Sequence, residues 1–241
     1  MYIAPPDGDP IALTSRPRKE FDPDPSPDGR LVAYRVNPDP TSDAADIWVM
    51  GIDGSDQRNL TRDPGADNWS PAWSPDGSRI AFASTRAGAL SVWTMRPDGG
   101  DPRQVTQGHG EYPDWSPDGS RIVYAGTTGG TYDIYTIAAS GGESTRLTDA
   151  PGTDFAPSWS PDGSRIAFQS ERDGEWAVWL MSPDGSGQCR LAEPGAFPTC
   201  VSADEVAYVG EGGIVATSIS TGRTRTLVST PGSGFPSWVN A

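Results

Sequence analysis

The chain has one histidine, two cysteines and few basic residues, and each scarcity removes a class of function. With His109 alone, a zinc centre built on several histidines is excluded, and any histidine general base must be that residue. Cys189 and Cys200 are too few for a disulfide scaffold and have no metal-ligand spacing. A bridge between them would have to join an inner strand to an outer one, farther apart than disulfide geometry allows. The 18 Lys and Arg residues stand against 32 Asp and Glu, a formal charge of −14, which repels phosphate backbones and anionic lipid surfaces. The one basic run, Arg16-Pro17-Arg18-Lys19, is short and sits beside Glu20 and Asp22. Nucleic acid is therefore not expected as a partner. No apolar run approaches the ~20 residues that span a bilayer, so membrane insertion is not expected either. The opening Met1-Tyr2-Ile3-Ala4-Pro5-Pro6 lacks the basic and apolar regions of a secretory signal. As given, the chain reads as cytoplasmic; removal of a signal would make it periplasmic or secreted.

What is abundant is turn chemistry. The 29 glycines and 24 prolines recur at fixed offsets between short apolar runs. Ser-Pro-Asp-Gly occurs at Ser26–Gly29, Ser74–Gly77, Ser116–Gly119 and Ser160–Gly163, at spacings of 48, 42 and 44 residues. A period in the forties is the length of a four-stranded propeller blade. Proline presets φ, Asp bonds its own backbone two residues on, and Gly accepts positive φ. The recurring Asp is thus read as a turn residue and not as a catalytic acid.

Strand copies align as Leu31–Tyr34, Ile80–Phe82, Ile122–Tyr124, Ile166–Phe168 and Val206–Tyr208, each followed by a second strand and a short third one. The fold class is all-β, a propeller of four-stranded antiparallel blades in a single domain over 1–241. Its modules span roughly 22–69, 70–111, 112–154, 155–196 and 197–234, with 1–21 and 235–241 closing the ring. Leu13-Thr14 reads as the end of a module and Phe235-Pro236-Ser237-Trp238 as the start of one. The expectation is six blades, the last built from both chain ends, which leaves no free sheet edge. Five blades with an N-terminal strap is the alternative.

The repeated pattern, carried by Trp73–Phe82, Trp115–Tyr124 and Trp159–Phe168 with Arg146-Leu147-Thr148 as the best outer-strand copy, resembles the TolB-type propeller repeat. The resemblance covers nearly the whole chain. It implies a propeller of the kind TolB uses to bind lipoprotein and colicin partners, or that prolyl oligopeptidase-type enzymes carry beside a separate hydrolase domain. At this length the expectation is a stand-alone propeller.

Candidate sites follow from the innermost strands, which line a propeller's channel. The middle positions of the Pro-x-Trp segments, Asp24, Ala72, Asp114, Ser158, Thr199 and Ser237, are small or polar, and the tryptophans beside them should point into the packing between sheets. Upstream lie Glu20, Asn68, Glu111 and Asp154 at the expected channel mouth. Carboxylates of this kind suit Ca²⁺, with Asp24, Asp114 and Asp154 as candidate ligands. The plainer reading is solvated channel residues, with no cofactor required. Trp69, Tyr112, Phe155 and Phe197 precede the inner strands and either rim a pocket or plug the space between blades. The reading is a binding scaffold whose channel face takes a protein or peptide partner or a small ligand. The alternative is a small-molecule enzyme using His109, Glu111 and Asp154 at the mouth.

Overall fold

The computed structural model describes residues 2–3, 11–14, 19–37, 44–63, 65–127 and 129–229. These residues form five four-stranded antiparallel sheets and one two-stranded sheet. Each blade starts with its innermost strand: Lys19–Pro25, Asn68–Trp73, Glu111–Trp115, Asp154–Trp159 and Ala196–Cys200. Each then passes outward in sequence order, so every connection within a blade is a hairpin. Outer strands such as Arg58–Asn59, Arg103–Gln104 and Thr145–Arg146 are only two residues long, which leaves little edge for another chain to pair with.

The Ser-Pro-Asp-Gly turns set the first hairpin of four blades. In the first, the Ser26 hydroxyl donates to Asp28 Oδ1 at 2.6 Å, and the N–H groups of Gly29 and Leu31 close onto Ser26 O and Oγ. The same bonds recur around Ser74, Ser116 and Ser160. The serine hydroxyls and backbone amides hold the carboxyls of Asp28, Asp76, Asp118 and Asp162 below the usual carboxylate range, with Asp118 at about 2. These four aspartates are turn locks.

Packing is between blades. Trp73 joins Ala33, Ile47 and Val49 of the first blade to Ile80 and Phe82 of the second. Trp115 and Trp159 do the same at the next two boundaries, and Cys200 takes the tryptophan's place at the fourth. Burial of Phe82 and Phe168, both at 0 % exposure, supplies on the order of 2–3 kcal/mol each.

Strand-on-strand packing runs from the first blade through to the fifth, and none of comparable extent runs from the fifth back to the first among the described residues. The N-terminal pair of strands, Tyr2–Ile3 with Ile11–Ala12, leads into Leu13, which packs against the cluster of Val32, Tyr34, Val36 and Met50 in the first blade. A Cβ at Gly54 would fall 2.4 Å from Leu13 O, as one at Gly99 would fall 2.5 Å from Leu60 O. Leu13 thus meets the first blade as Leu60, on the outer rim of the first blade, meets the second. The described residues nonetheless make five four-stranded blades, which is the alternative count and not the six expected. The hairpin supplies only two short strands, and the segment Phe235–Trp238 lies outside the described residues.

Candidate functional site

All five inner strands line one central cavity of about 490 Å³. Each inner strand carries a β-bulge between its first residues and its closing pair, Asp24-Pro25, Ala72-Trp73, Asp114-Trp115, Ser158-Trp159 or Thr199-Cys200. At each bulge one non-glycine residue sits in the left-handed region: Asp22 (φ 50°), Ser70 (48°), Tyr112 (50°), Ala156 (47°) and Phe197 (50°). Every one of the five precedes a proline, which ordinarily drives the residue before it to extended backbone. The conformation costs on the order of 1–3 kcal/mol per residue and persists because the surrounding sheet imposes it. All five line the cavity, one from each blade. The ring is polar on the first two blades and aromatic on the third and fifth.

The ring positions were missed in the sequence except for Tyr112 and Phe197. The available signal was the residue before the inner-strand proline of each repeat, Pro23, Pro71, Pro113, Pro157 or Pro198, which differs from blade to blade while the proline repeats.

Of the expected middle residues, Asp24, Ala72, Asp114, Ser158 and Thr199 line the cavity and Ser237 lies outside the described residues; the polar groups of Asp24, Asp114 and Ser158 tie blades together. Asp24 Oδ2 accepts the Trp73 N–H at 2.6 Å, from the first blade to the second. Asp114 accepts the Trp159 N–H at 2.7 Å with one oxygen and its neighbour Trp115 N–H at 2.9 Å with the other. Ser158 Oγ accepts the Cys200 N–H at 3.2 Å. Burial dominates the ionisation of both acids. It pushes Asp24 up to about 8, with the Asp114 charge adding to the rise and the Trp73 bond opposing it. Asp114 rises to about 6 by burial, against the amides of Trp159 and Trp115 and the Ser158 hydroxyl.

Asp22 is in a harder position. It is 8 % exposed, its enclosed Oδ1 has no direct partner, and Oδ2 accepts a long 3.5 Å bond from Ser70 Oγ. Burial raises its pKa, with Arg35 and the Ser70 bonds opposing and Glu111 adding. Beside the channel, Arg35, Trp69, Ser70, Leu90, Glu111 and Tyr112 enclose a second cavity of about 130 Å³. Burial, with the charges of Asp22 and Glu111, also raises the Tyr112 phenol.

The remaining expected residues fall elsewhere. Asp154 is buried in an ion pair with Arg172 at 2.9 Å, and that guanidinium lies over the Phe168 and Trp179 rings. Asn68 occupies the same place in the second blade, accepting from Ser84 and Arg86. Neither lines the channel, so Asp154 is not brought to Asp24 and Asp114 as the metal reading required. Among the described residues no three His, Cys, Asp or Glu side chains converge as a metal site. Glu20 accepts from the Thr14 hydroxyl. Phe155 packs between Tyr112 (4.6 Å between centroids) and Tyr132 (4.9 Å), and His109 meets the edge of Tyr132 at 5.3 Å. Both cysteines are free; Cys189 is exposed, and burial pushes the Cys200 thiol up to about 12.

The TolB β-propeller domain family model matches residues 8–112 and 104–240. The chain belongs to the TolB β-propeller domain family. A putative TolB from Agrobacterium tumefaciens superposes with a TM-score of 0.79 at 24% identity, covering 91% of this chain and 84% of that one. TolB from Acinetobacter baumannii gives 0.70 at 24% identity, over 83% of this chain and 53% of that one. These likenesses establish the fold. In sequence, dipeptidyl-peptidase 5 of Porphyromonas gingivalis is 36% identical over 70 residues, which are 28% of this chain and 10% of the peptidase. The TolB-type repeat is thus shared with much longer peptidases, of which this chain matches about a tenth. No helix among the described residues is long and apolar enough to cross a membrane.

Proposed function

We propose that the chain is a binding propeller that receives a segment of a protein or peptide partner at its channel. The observation that carries this reading is the ring of Asp22, Ser70, Tyr112, Ala156 and Phe197. Five blades each hold one side chain at the cavity wall through a strained bulge, and those side chains differ while the packing around them repeats. Strain retained at equivalent positions of a cavity is the mark of a site. The acid/base alternative draws less support, because Asp154 is committed to Arg172 and His109 packs on Tyr132.

Ala156→Phe tests the reading. Phe197 and Tyr112 already place aromatic rings on the same left-handed backbone, so the variant is expected to fold while filling the channel. Peptides selected from a random library on the wild-type protein should lose at least about tenfold in affinity for the variant, about 1.4 kcal/mol. Selected peptides that bind both proteins equally would move the binding surface away from the channel and refute the proposal.

A further inference from the structure

The smaller cavity lies beside the channel and shares Ser70 and Tyr112 with it. Its wall brings together opposite charges from different blades, Arg35 of the first and Glu111 of the third, around Trp69 and Leu90 of the second. Among the described residues neither charge forms an ion pair, with the other or with any third group.

Both charges are nonetheless held in place. The Arg35 guanidinium lies over the Phe21 ring at 5.1 Å, and its Nε donates to Asn37 Oδ1 at 3.0 Å. Those contacts leave the two terminal nitrogens without a protein partner. Such a pair is the fork that grips a carboxylate with parallel bonds. Glu111 faces the Tyr132 phenol, which burial and the Glu111 carboxylate, as acceptor and as charge, push up to about 12. Both charged ends are accessible: no Arg35 nitrogen and no Glu111 oxygen is both enclosed and unpartnered.

This wall selects by charge. A simple anion on Arg35 would be repelled by Glu111, and a simple cation on Glu111 would be repelled by Arg35. A molecule carrying both charges satisfies both walls at once. The volume of about 130 Å³ is the share of roughly four water molecules, well below that of a drug-sized site. Leu90 offers an apolar side for a short aliphatic group, and the rings of Trp69 and Tyr112 add attraction for an ammonium.

We propose that this cavity binds a free α-amino acid with a small aliphatic side chain, its carboxylate on the Arg35 fork and its ammonium on Glu111. The site is separate from the channel reading and does not rest on it.

The test is titration of the full chain with L-valine, N-acetyl-L-valine and L-valinamide, followed by NMR. L-Valine is expected to bind saturably. Each capped probe, lacking one charge, should bind at least about tenfold more weakly. Glu111→Gln should remove the preference for valine over N-acetyl-valine and keep the preference over valinamide. Arg35→Gln should do the converse. Leu90→Trp should fill the cavity and abolish binding. Glu111 and Leu90 are not fully buried, so these two variants keep the test decisive should Arg35→Gln fail to fold. No saturable binding of L-valine, equal affinities for the capped probes, preferences unchanged in Glu111→Gln, or binding that survives Leu90→Trp would each overturn the proposal. The channel reading has its own test in Ala156→Phe, so the two fail separately.

Discussion

Replacing Asp24 by asparagine should flatten the pH dependence of stability. Asp24 bridges the first two blades through the Trp73 amide, and burial lifts its pKa from 3.8 to about 8. The folded state therefore holds the proton more tightly than the unfolded chain, so stability is highest near pH 4 and falls as pH rises toward 8. The limiting slope is about 1.4 kcal/mol per pH unit. Asp24 keeps some solvent contact, and halving the full effect for that leaves a loss of about 2 kcal/mol between pH 5 and 8. The turn aspartates do not confuse this window, because their lowered pKa values make their stabilisation complete above about pH 4. Asparagine offers the Trp73 N–H the same acceptor and never ionises. Urea unfolding followed by tryptophan fluorescence should find the advantage of Asp24→Asn over wild type about 2 kcal/mol larger at pH 8 than at pH 5. Asp24→Ala, which orphans the Trp73 amide, should instead be less stable by about 1–3 kcal/mol at pH 5. A wild-type protein equally stable at pH 5 and 8, or an asparagine variant whose advantage is no larger at pH 8 than at pH 5, would refute the argument.

Arg172→Ala strands the buried Asp154 carboxylate and should cost about 3–5 kcal/mol in chemical denaturation. Asp154→Asn should cost much less, since the second blade builds the same arrangement from Asn68, Ser84 and Arg86. Gly54→Ala would drive a Cβ into Leu13 O at a φ of +84°, so it should lower Tm and increase proteolysis in the N-terminal hairpin, read by limited digestion with mass spectrometry.

The architecture was legible because packing repeats. Ser-Pro-Asp-Gly marks the same hairpin four times, and the tryptophan after each Pro-x fills the same gap between blades, so aligning the chain on itself finds strands and core together. The blade count was harder. It turns on the chain ends, where the repeat is eroded and, among the described residues, Leu13 against Gly54 preserves the outer-strand contact. Asn68 and Asp154 were placed at the mouth by proximity to the inner strand. Their partners lie 18 residues on, at Arg86 and Arg172, and only the antiparallel register of Asn68 with Ser84 and of Asp154 with Ser170 brings each pair together.

The ring residues escaped for a different physical reason. A residue before proline is read as extended, and an extended Asp22 or Ala156 would have no claim on the channel. The bulge reverses that by adding a residue that the ladder cannot pair, and the left-handed turn at that residue puts it on the cavity wall. The tryptophan three positions later, at Trp73, Trp115 and Trp159, keeps its packing role whatever side chain the ring residue carries. Tyr112 and Ala156 share a backbone conformation on adjacent blades, although one side chain is aromatic and the other is a methyl group. Packing and display are thereby assigned to different residues of one short strand. A substitution in the ring should therefore change what the channel binds while moving Tm far less than one at Trp73, Trp115 or Trp159.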